Sequence, residues 1–234
     1  MIRKLFVFGL GAGLVACSSS LVTTYPLSNT AISTELGTDA KMDSLIAPFS
    51  RELAAEMNVV IGESPTDLSV ARPSSNLGNW ATDAILDFAK DSLALNDLPV
   101  VVLLNTGGLR ASISKGPITI GDVFKLMPFD NTVVVMKCDR SILDDLQSYL
   151  YKSGGEPISG MVINRGVLSL NPKQESNEFY LVTSDFLANG GDRMDFLQQA
   201  KEKRITGILI RDVFIRAVKK QQILQVTAEE RISW

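Results

Sequence analysis

The stretch Asn105-Thr106-Gly107-Gly108-Leu109-Arg110 has the makings of an anion site, because an apolar strand, Val100 to Leu104, runs straight into a glycine pair that ends in a single arginine. Gly107 and Gly108 can take φ > 0 and let the backbone approach a ligand closely, while the Arg110 guanidinium offers a fork of donors that fits phosphate at two points. A Gly-Gly between strand and loop is also an ordinary tight turn. Two further segments share the design of a loop that carries a few ligand-competent groups beside an ordered element. They are Pro128-Phe129-Asp130-Asn131 and Asp185-Phe186-Leu187-Ala188-Asn189-Gly190-Gly191-Asp192.

Composition removes several chemistries. The chain has no histidine, on which catalytic zinc, most bimetallic phosphoesterase sites and most acid–base relays depend. Any hydrolytic chemistry of its own would have to run on carboxylates alone. The formal charge is −3 and becomes more negative if Arg3 and Lys4 are removed with a leader, which argues against nucleic acid as a partner.

The elements that must position the three loops can be read from periodicity. Met42, Leu45, Ile46, Phe49, Leu53 and Met57 mark one face of a helix of about four turns, and Val59 to Ile61 reads as a strand. A polar loop through Pro73 leads to Ser74-Ser75-Asn76, N-cap candidates for a helix whose apolar face is Leu77, Trp80, Ala81, Ala84, Ile85 and Phe88. Continuous Val and Leu over Val100 to Leu104 predicts a strand buried on both faces. A short helix from Ile120 to Met127 stops at Pro128. Strand Thr132 to Cys138 is followed by a helix with Ile142, Leu143, Leu146, Tyr149 and Leu150 on one face and a glycine-rich loop to Gly160. Met161 to Leu170 and Phe179 to Thr183 read as further strands, and residues 209–220 as a final amphipathic helix. With no repeats and no composition break, the pattern is one mixed α and β domain.

The N-terminus reads as a targeting segment. Met1-Ile2-Arg3-Lys4 is basic, and Leu5 to Val15 is apolar but too short to span a bilayer. It closes on Leu14-Val15-Ala16-Cys17, similar to the bacterial lipoprotein processing box, in which cleavage leaves a lipid-bearing cysteine; an ordinary signal peptide with an incidental cysteine is the alternative. The expected organisation is a signal peptide over 1–16, the lipidated Cys17 with a flexible tether over 17–37, and a domain over 38–234. Cys138 is the other cysteine, so no internal disulfide framework is expected and burial must supply stability.

The three loops, together with Asn76-Leu77-Gly78-Asn79 and the terminal Ile232-Ser233-Trp234, resemble the C-terminal domain of the 5′-nucleotidase family, which includes UDP-sugar hydrolases and 2′,3′-cyclic-nucleotide phosphodiesterases. The resemblance runs from about Ser74 to Trp234 and implies an α+β fold, with layered helices on a mixed, antiparallel-rich sheet in four layers. It implies that this is the substrate-specificity half of such an enzyme. Phe129 and Phe186 match the pair that sandwiches the base, as two apolar faces can, although either ring could instead be core. Asn105 matches a polar contact to the nucleoside, Arg110 a phosphate-binding arginine, and Asp192 a carboxylate that accepts from ribose hydroxyls; Asn105 and Asp192 could also cap turns. Gly107, Gly108, Gly190 and Gly191 would shape the loops.

Two departures stand out. Family members carry an N-terminal metallophosphatase domain whose two metals are held by Asp, Asn and His, and no part of this chain corresponds to it. Upstream of Asn76, Arg72 is out of register with a phosphate-binding arginine, and Ser74 stands in place of an acid. The expected function is nucleotide or nucleoside binding as one half of a split 5′-nucleotidase of the bacterial cell envelope. The chain would be held at the membrane by its lipid and bind no catalytic metal or cofactor itself, the divalent metals belonging to a separate metallophosphatase chain. On this reading the chain is inactive alone. A stand-alone nucleoside-capturing lipoprotein is the alternative.

Overall fold

The computed structural model describes Asn29 and residues 37–171 and 176–234. The signal-peptide reading over 1–16, Cys17 and nearly all of the 17–37 tether lie outside the described residues. Residues Ile46–Trp234 form one compact unit.

The order of elements follows the periodicities in most places. Helix α1 spans Ala40–Met57 and strand β1 spans Val60–Ser64. Helix α2, Asn76–Asp91, starts at Ser75, whose hydroxyl accepts from the Gly78 amide at 3.1 Å, and its six predicted apolar positions are all buried. Next come β2 (Val100–Leu103), β3 (Gly116–Thr119) and α3 (Ile120–Leu126). The short α3 is closed at its start by a capping box between Thr119 and Asp122 and stops short of Pro128, which cannot continue it. Strand β4 (Thr132–Asp139), helix α4 (Ile142–Ser153) and strand β5 (Ile158–Ser159) lead to a hairpin of β6 (Met161–Asn164) and β7 (Val167–Leu170). The chain ends through β8 (Glu178–Ser184), the single turn α5 (Asp185–Ala188), β9 (Glu202–Leu209) and α6 (Ile210–Gln221).

A five-stranded sheet in the order β5-β2-β8-β4-β9 carries the molecule; β2 and β8 are parallel and the other neighbours antiparallel. Its side chains alternate between two cores, as a strand period of two requires. Val100, Val102, Val133, Val135 and Val182 face a cluster built with α2, α3 and α6. Val101, Leu103, Val134, Met136, Phe179 and Leu181 face a second cluster built with α4 and the β6–β7 hairpin. Every residue of β2 is buried, as its unbroken apolar run predicts. The small β1–β3 sheet packs against α6, where a Cβ on Gly62 would lie 2.6 Å from Val218. Small sheet, helices, main sheet and α4 with the hairpin make up the four layers. Cys138 is a free thiol inside the second core, and burial pushes it up to about 12.

Three elements differ from the expectation. The stretch Met161 to Leu170 is two strands, because Arg165 and Gly166 take φ of 51° and 71° and close a two-residue turn of the hairpin type. Strand β9 gives no alternation, since an edge strand pairs through its backbone whatever its side chains are; Glu202, Lys203 and Arg204 keep that edge charged. Helix α1 forms, but none of its residues is buried, and Met42, Leu45, Ile46, Phe49 and Leu53 are each more than half exposed.

Candidate functional site

All five strands of the main sheet bring chain to one end of it. Strands β2 and β8 run parallel, with Val102 opposite Val182, so the segments that follow them leave side by side. Strand β4 is antiparallel to β8, with Val133 opposite Ser184, so the residues before it arrive at the same end. Neighbouring strands lie about 4.8 Å apart. The loops 105–110, 185–192 and 128–131 therefore sit next to one another, although they are far apart in the chain. Among the described residues, hydrogen bonds tie the loops or the strand start beside them together. Asn105 Nδ2 donates to Asp192 Oδ2 at 2.7 Å, and Thr132 Oγ1 donates to Asp185 Oδ2 at 3.0 Å.

Phe129 and Phe186 are 42% and 45% exposed, which removes the reading of either as a core residue. Neither stacks on another aromatic side chain among the described residues. Phe186 lies directly on Gly191, where a Cβ would stand 2.6 Å from two of its ring carbons. Gly191 is thus needed for space, and Gly190, at φ 90°, for a backbone turn that other residues rarely take. Gly107 and Gly108 depart from the expectation that they supply positive φ. Both sit in a 3₁₀ turn outside the left-handed region, and Gly108 is required because a Cβ would lie 2.8 Å from Asn105 Oδ1. Arg110 is exposed; its backbone amide is held by Leu126 O at 2.8 Å, its Nη1 reaches Gly107 O at 3.3 Å, and it makes no ion pair among the described residues.

Asn105 is buried, so its amide answers to the protein as well as to any ligand. Asp192 is exposed and held at φ 53°, followed by Arg193 at φ 66°. Two successive non-glycine residues in that region cost about 1 to 3 kcal/mol each, a strain that collects where a side chain must be presented in one direction. Asp192 and Gly107 also border an open cleft of about 1040 Å³ that runs along α4. Arg110, Phe129 and Phe186 do not line that cleft, so the candidate site is a rim of loops that borders it and not one enclosed pocket. Inside the cleft Tyr149 is pushed up to about 12, by burial first and then by the carboxylates of Glu156 and Asp192, with Arg72 opposing; its phenol stays protonated.

Glu156 and Lys203, which hold these loops, gave no signal of their own in the sequence. Glu156, 3% exposed, accepts from both the amide and the hydroxyl of Thr106 at 2.7 Å and pairs with Arg72, whose Nε donates to Gly155 O at 2.8 Å. Arg72 is therefore spent on fixing the 105–110 loop, and Ser74 is spent on accepting from the amides of Arg231 and Ile232. Lys203 donates to Ala188 O at 3.1 Å and Asn189 Oδ1 at 2.5 Å, bracing the 185–192 loop from β9. The Asn76-to-Asn79 motif and the C-terminal tripeptide are structural. Asn79 holds the carbonyls of Thr227 and Glu229, Ile232 is fully buried, and Trp234 packs edge-on against Tyr151. Among the described residues no group of three or more His, Cys, Asp and Glu could hold a metal ion.

Residues 60–148, which include α2, the 105–110 loop and Phe129, match the sequence model of the family described as 5′-nucleotidase, C-terminal domain. This part of the chain resembles a 5′-nucleotidase C-terminal domain. The chain is 27% identical to the trifunctional nucleotide phosphoesterase protein YfkN of Bacillus subtilis over 89% of its length and 26% identical to protein UshA of Escherichia coli over 86%. It spans only 16% and 38% of the length of those two proteins. The crystal structure of a 5′-nucleotidase precursor from Thermus thermophilus superposes with a TM-score of 0.68 at 26% identity, covering 82% of this chain and 42% of that one. The 5′-nucleotidase C-terminal fold is thus present with its layered helices and antiparallel-rich sheet.

Proposed function

We propose that this chain binds nucleotides or nucleosides at the sheet end formed by its three loops, as the substrate-binding half of a split 5′-nucleotidase. A separate metallophosphatase chain completes the active site and holds the divalent metals. One observation carries the reading: two half-exposed phenylalanines stand on loops tied together through Asp185, beside the Asn105–Asp192 pair and an arginine without a carboxylate partner among the described residues. Exposed aromatic rings cost free energy in water, and a flat base between them recovers it. The ribose hydroxyls donate to the second Asp192 oxygen, and the phosphate takes the Arg110 guanidinium. The matched family and the nucleotide phosphoesterase and 5′-nucleotidase relatives support the ligand class.

Calorimetric titration of the full chain with adenosine, AMP and UDP-glucose tests this. Heat of binding for adenosine and a tighter complex with AMP are expected; no heat with any of the three rules the reading out.

The chain works in the bacterial cell envelope, held by lipid on Cys17. No helix among the described residues is long and apolar enough to cross a membrane. Replacing Cys17 with Ser should move the protein from the membrane to the soluble fraction, because the acyl chains then supply no binding energy. Unchanged partition of the variant between the two fractions would show that the anchor lies elsewhere.

A further inference from the structure

Strand β9 is antiparallel to β4, with Leu209 opposite Thr132, so α6 begins at the same end of the sheet as the three loops. Its second residue, Arg211, points toward the 128–131 loop with a side chain only 10% exposed. Nη2 donates to Asp130 Oδ1 at 2.8 Å, and Nη1 makes long contacts of 3.4 Å to the carbonyl oxygens of Met127 and Phe129. The guanidinium lies over the ring of Phe124, 4.2 Å from its centre. One residue earlier, the Ile210 amide donates to Asn131 O at 2.9 Å. Every contact is with the loop that carries Phe129 or with the helix that feeds it.

Stability alone is a poor account of this arginine. Its Nε is buried with no hydrogen-bond partner among the described residues, and an unpaired buried donor costs free energy. The carboxylate it pairs with is 81% exposed, where an ion pair returns little. A buried charge in such a setting supplies conformational specificity instead, by excluding every loop conformation that leaves it unpaired.

We propose that Arg211 is a positioning residue for the base. It holds Met127 to Asn131 in one conformation before the ligand arrives, so that Phe129 needs no ordering on binding, and it sets the affinity for the base without touching it. The proposal rests on the reading of Phe129 as one face of the base clamp. A lysine cannot replace the guanidinium, because a single ammonium cannot reach the Met127 and Phe129 carbonyls and the Asp130 carboxylate at once.

The test measures the binding of adenosine, uridine and ribose 5-phosphate to the full chain and to its Arg211→Gln, Arg211→Lys, Asp130→Asn and Phe129→Ala variants. Both Arg211 variants should weaken adenosine and uridine about tenfold while leaving ribose 5-phosphate, which has no base, unchanged. Asp130→Asn, at an exposed position that does not threaten folding, should weaken the two nucleosides in the same direction by a smaller factor. A merely structural arginine would lower the melting temperature and leave this split between base-bearing and base-free ligands untouched. If Phe129→Ala weakens the nucleosides and neither the Arg211 variants nor Asp130→Asn do, the positioning role is overturned and the clamp stands. If Phe129→Ala leaves nucleoside binding unchanged, the clamp and this proposal fall together.

Discussion

Incubated alone with AMP and Mn²⁺, Zn²⁺ or Co²⁺, the purified chain is expected to release no phosphate above an enzyme-free control. Hydrolysis of a phosphate monoester is among the slowest uncatalysed reactions, and enzymes that perform it supply accelerations of up to roughly 10²¹-fold. Such factors come from metal ions that generate hydroxide and clamp the phosphoryl oxygens. This chain has no histidine, and no acidic or thiol cluster among its described residues could hold such ions. One exposed arginine and one carboxylate can bind a nucleotide without attacking it. Mixing in the cognate metallophosphatase chain should restore turnover, measured as released inorganic phosphate. Metal-dependent turnover by the chain alone that persists through removal of contaminating phosphatases, and is lost in an Arg110→Ala variant purified in the same way, would refute the split arrangement.

Replacing Phe186 with Ala should weaken adenosine and uridine alike, by about 1 to 3 kcal/mol, the usual worth of one base-on-aromatic stack. That corresponds to roughly five- to 150-fold in Kd. The loss should be similar for purine and pyrimidine because every base offers a flat face. Arg110→Ala should behave differently, costing AMP about 1.5 to 3 kcal/mol for its charged hydrogen bonds and sparing adenosine. Neither change opens the core, since Phe186 is 45% exposed and the Arg110 side chain is exposed, with one long hydrogen bond among the described residues, to Gly107 O. Calorimetry on the four protein–ligand pairs decides the matter. Equal weakening of adenosine and AMP by Arg110→Ala would remove the phosphate role, and unchanged nucleoside binding by Phe186→Ala would remove the clamp.

Where the sequence was legible, a strong local rule was at work. Helix α2 could be read to its N-cap because Ser75 and a period-3.6 face coincide, and β2 because four consecutive apolar residues have no polar side to show. Strand β9 was illegible because Glu202, Lys203 and Arg204 mark a sheet edge and not a buried strand. The Arg165-Gly166 turn was hidden inside an apolar run, because arginine at positive φ carries no compositional cue. Gly108 was read as a source of positive φ, which it does not take, and Gly191 as a residue that shapes its loop. Both are glycine for room, against Asn105 and Phe186, and contacts of that kind exist only once the chain is folded.

The sequence by itself determined most of the elements, the absence of imidazole, the candidate residues Asn105, Arg110, Phe129, Phe186 and Asp192, and the family they resemble. Those properties are local, set by residue type and by spacing over a few turns. Only the tertiary structure decided that the loops carrying the candidates leave one end of the sheet and that Asn105 bonds to Asp192. The strand order β5-β2-β8-β4-β9 interleaves distant parts of the chain, and the parallel pairing of β2 with β8 sends their loops out at one end. It also decided that both phenylalanines stand in solvent, and that Arg72 is taken by Glu156 while Arg110 has no carboxylate partner among the described residues. Register between strands is a long-range choice, made by which faces two cores can bury together, and no stretch of chain the length of a motif contains that information.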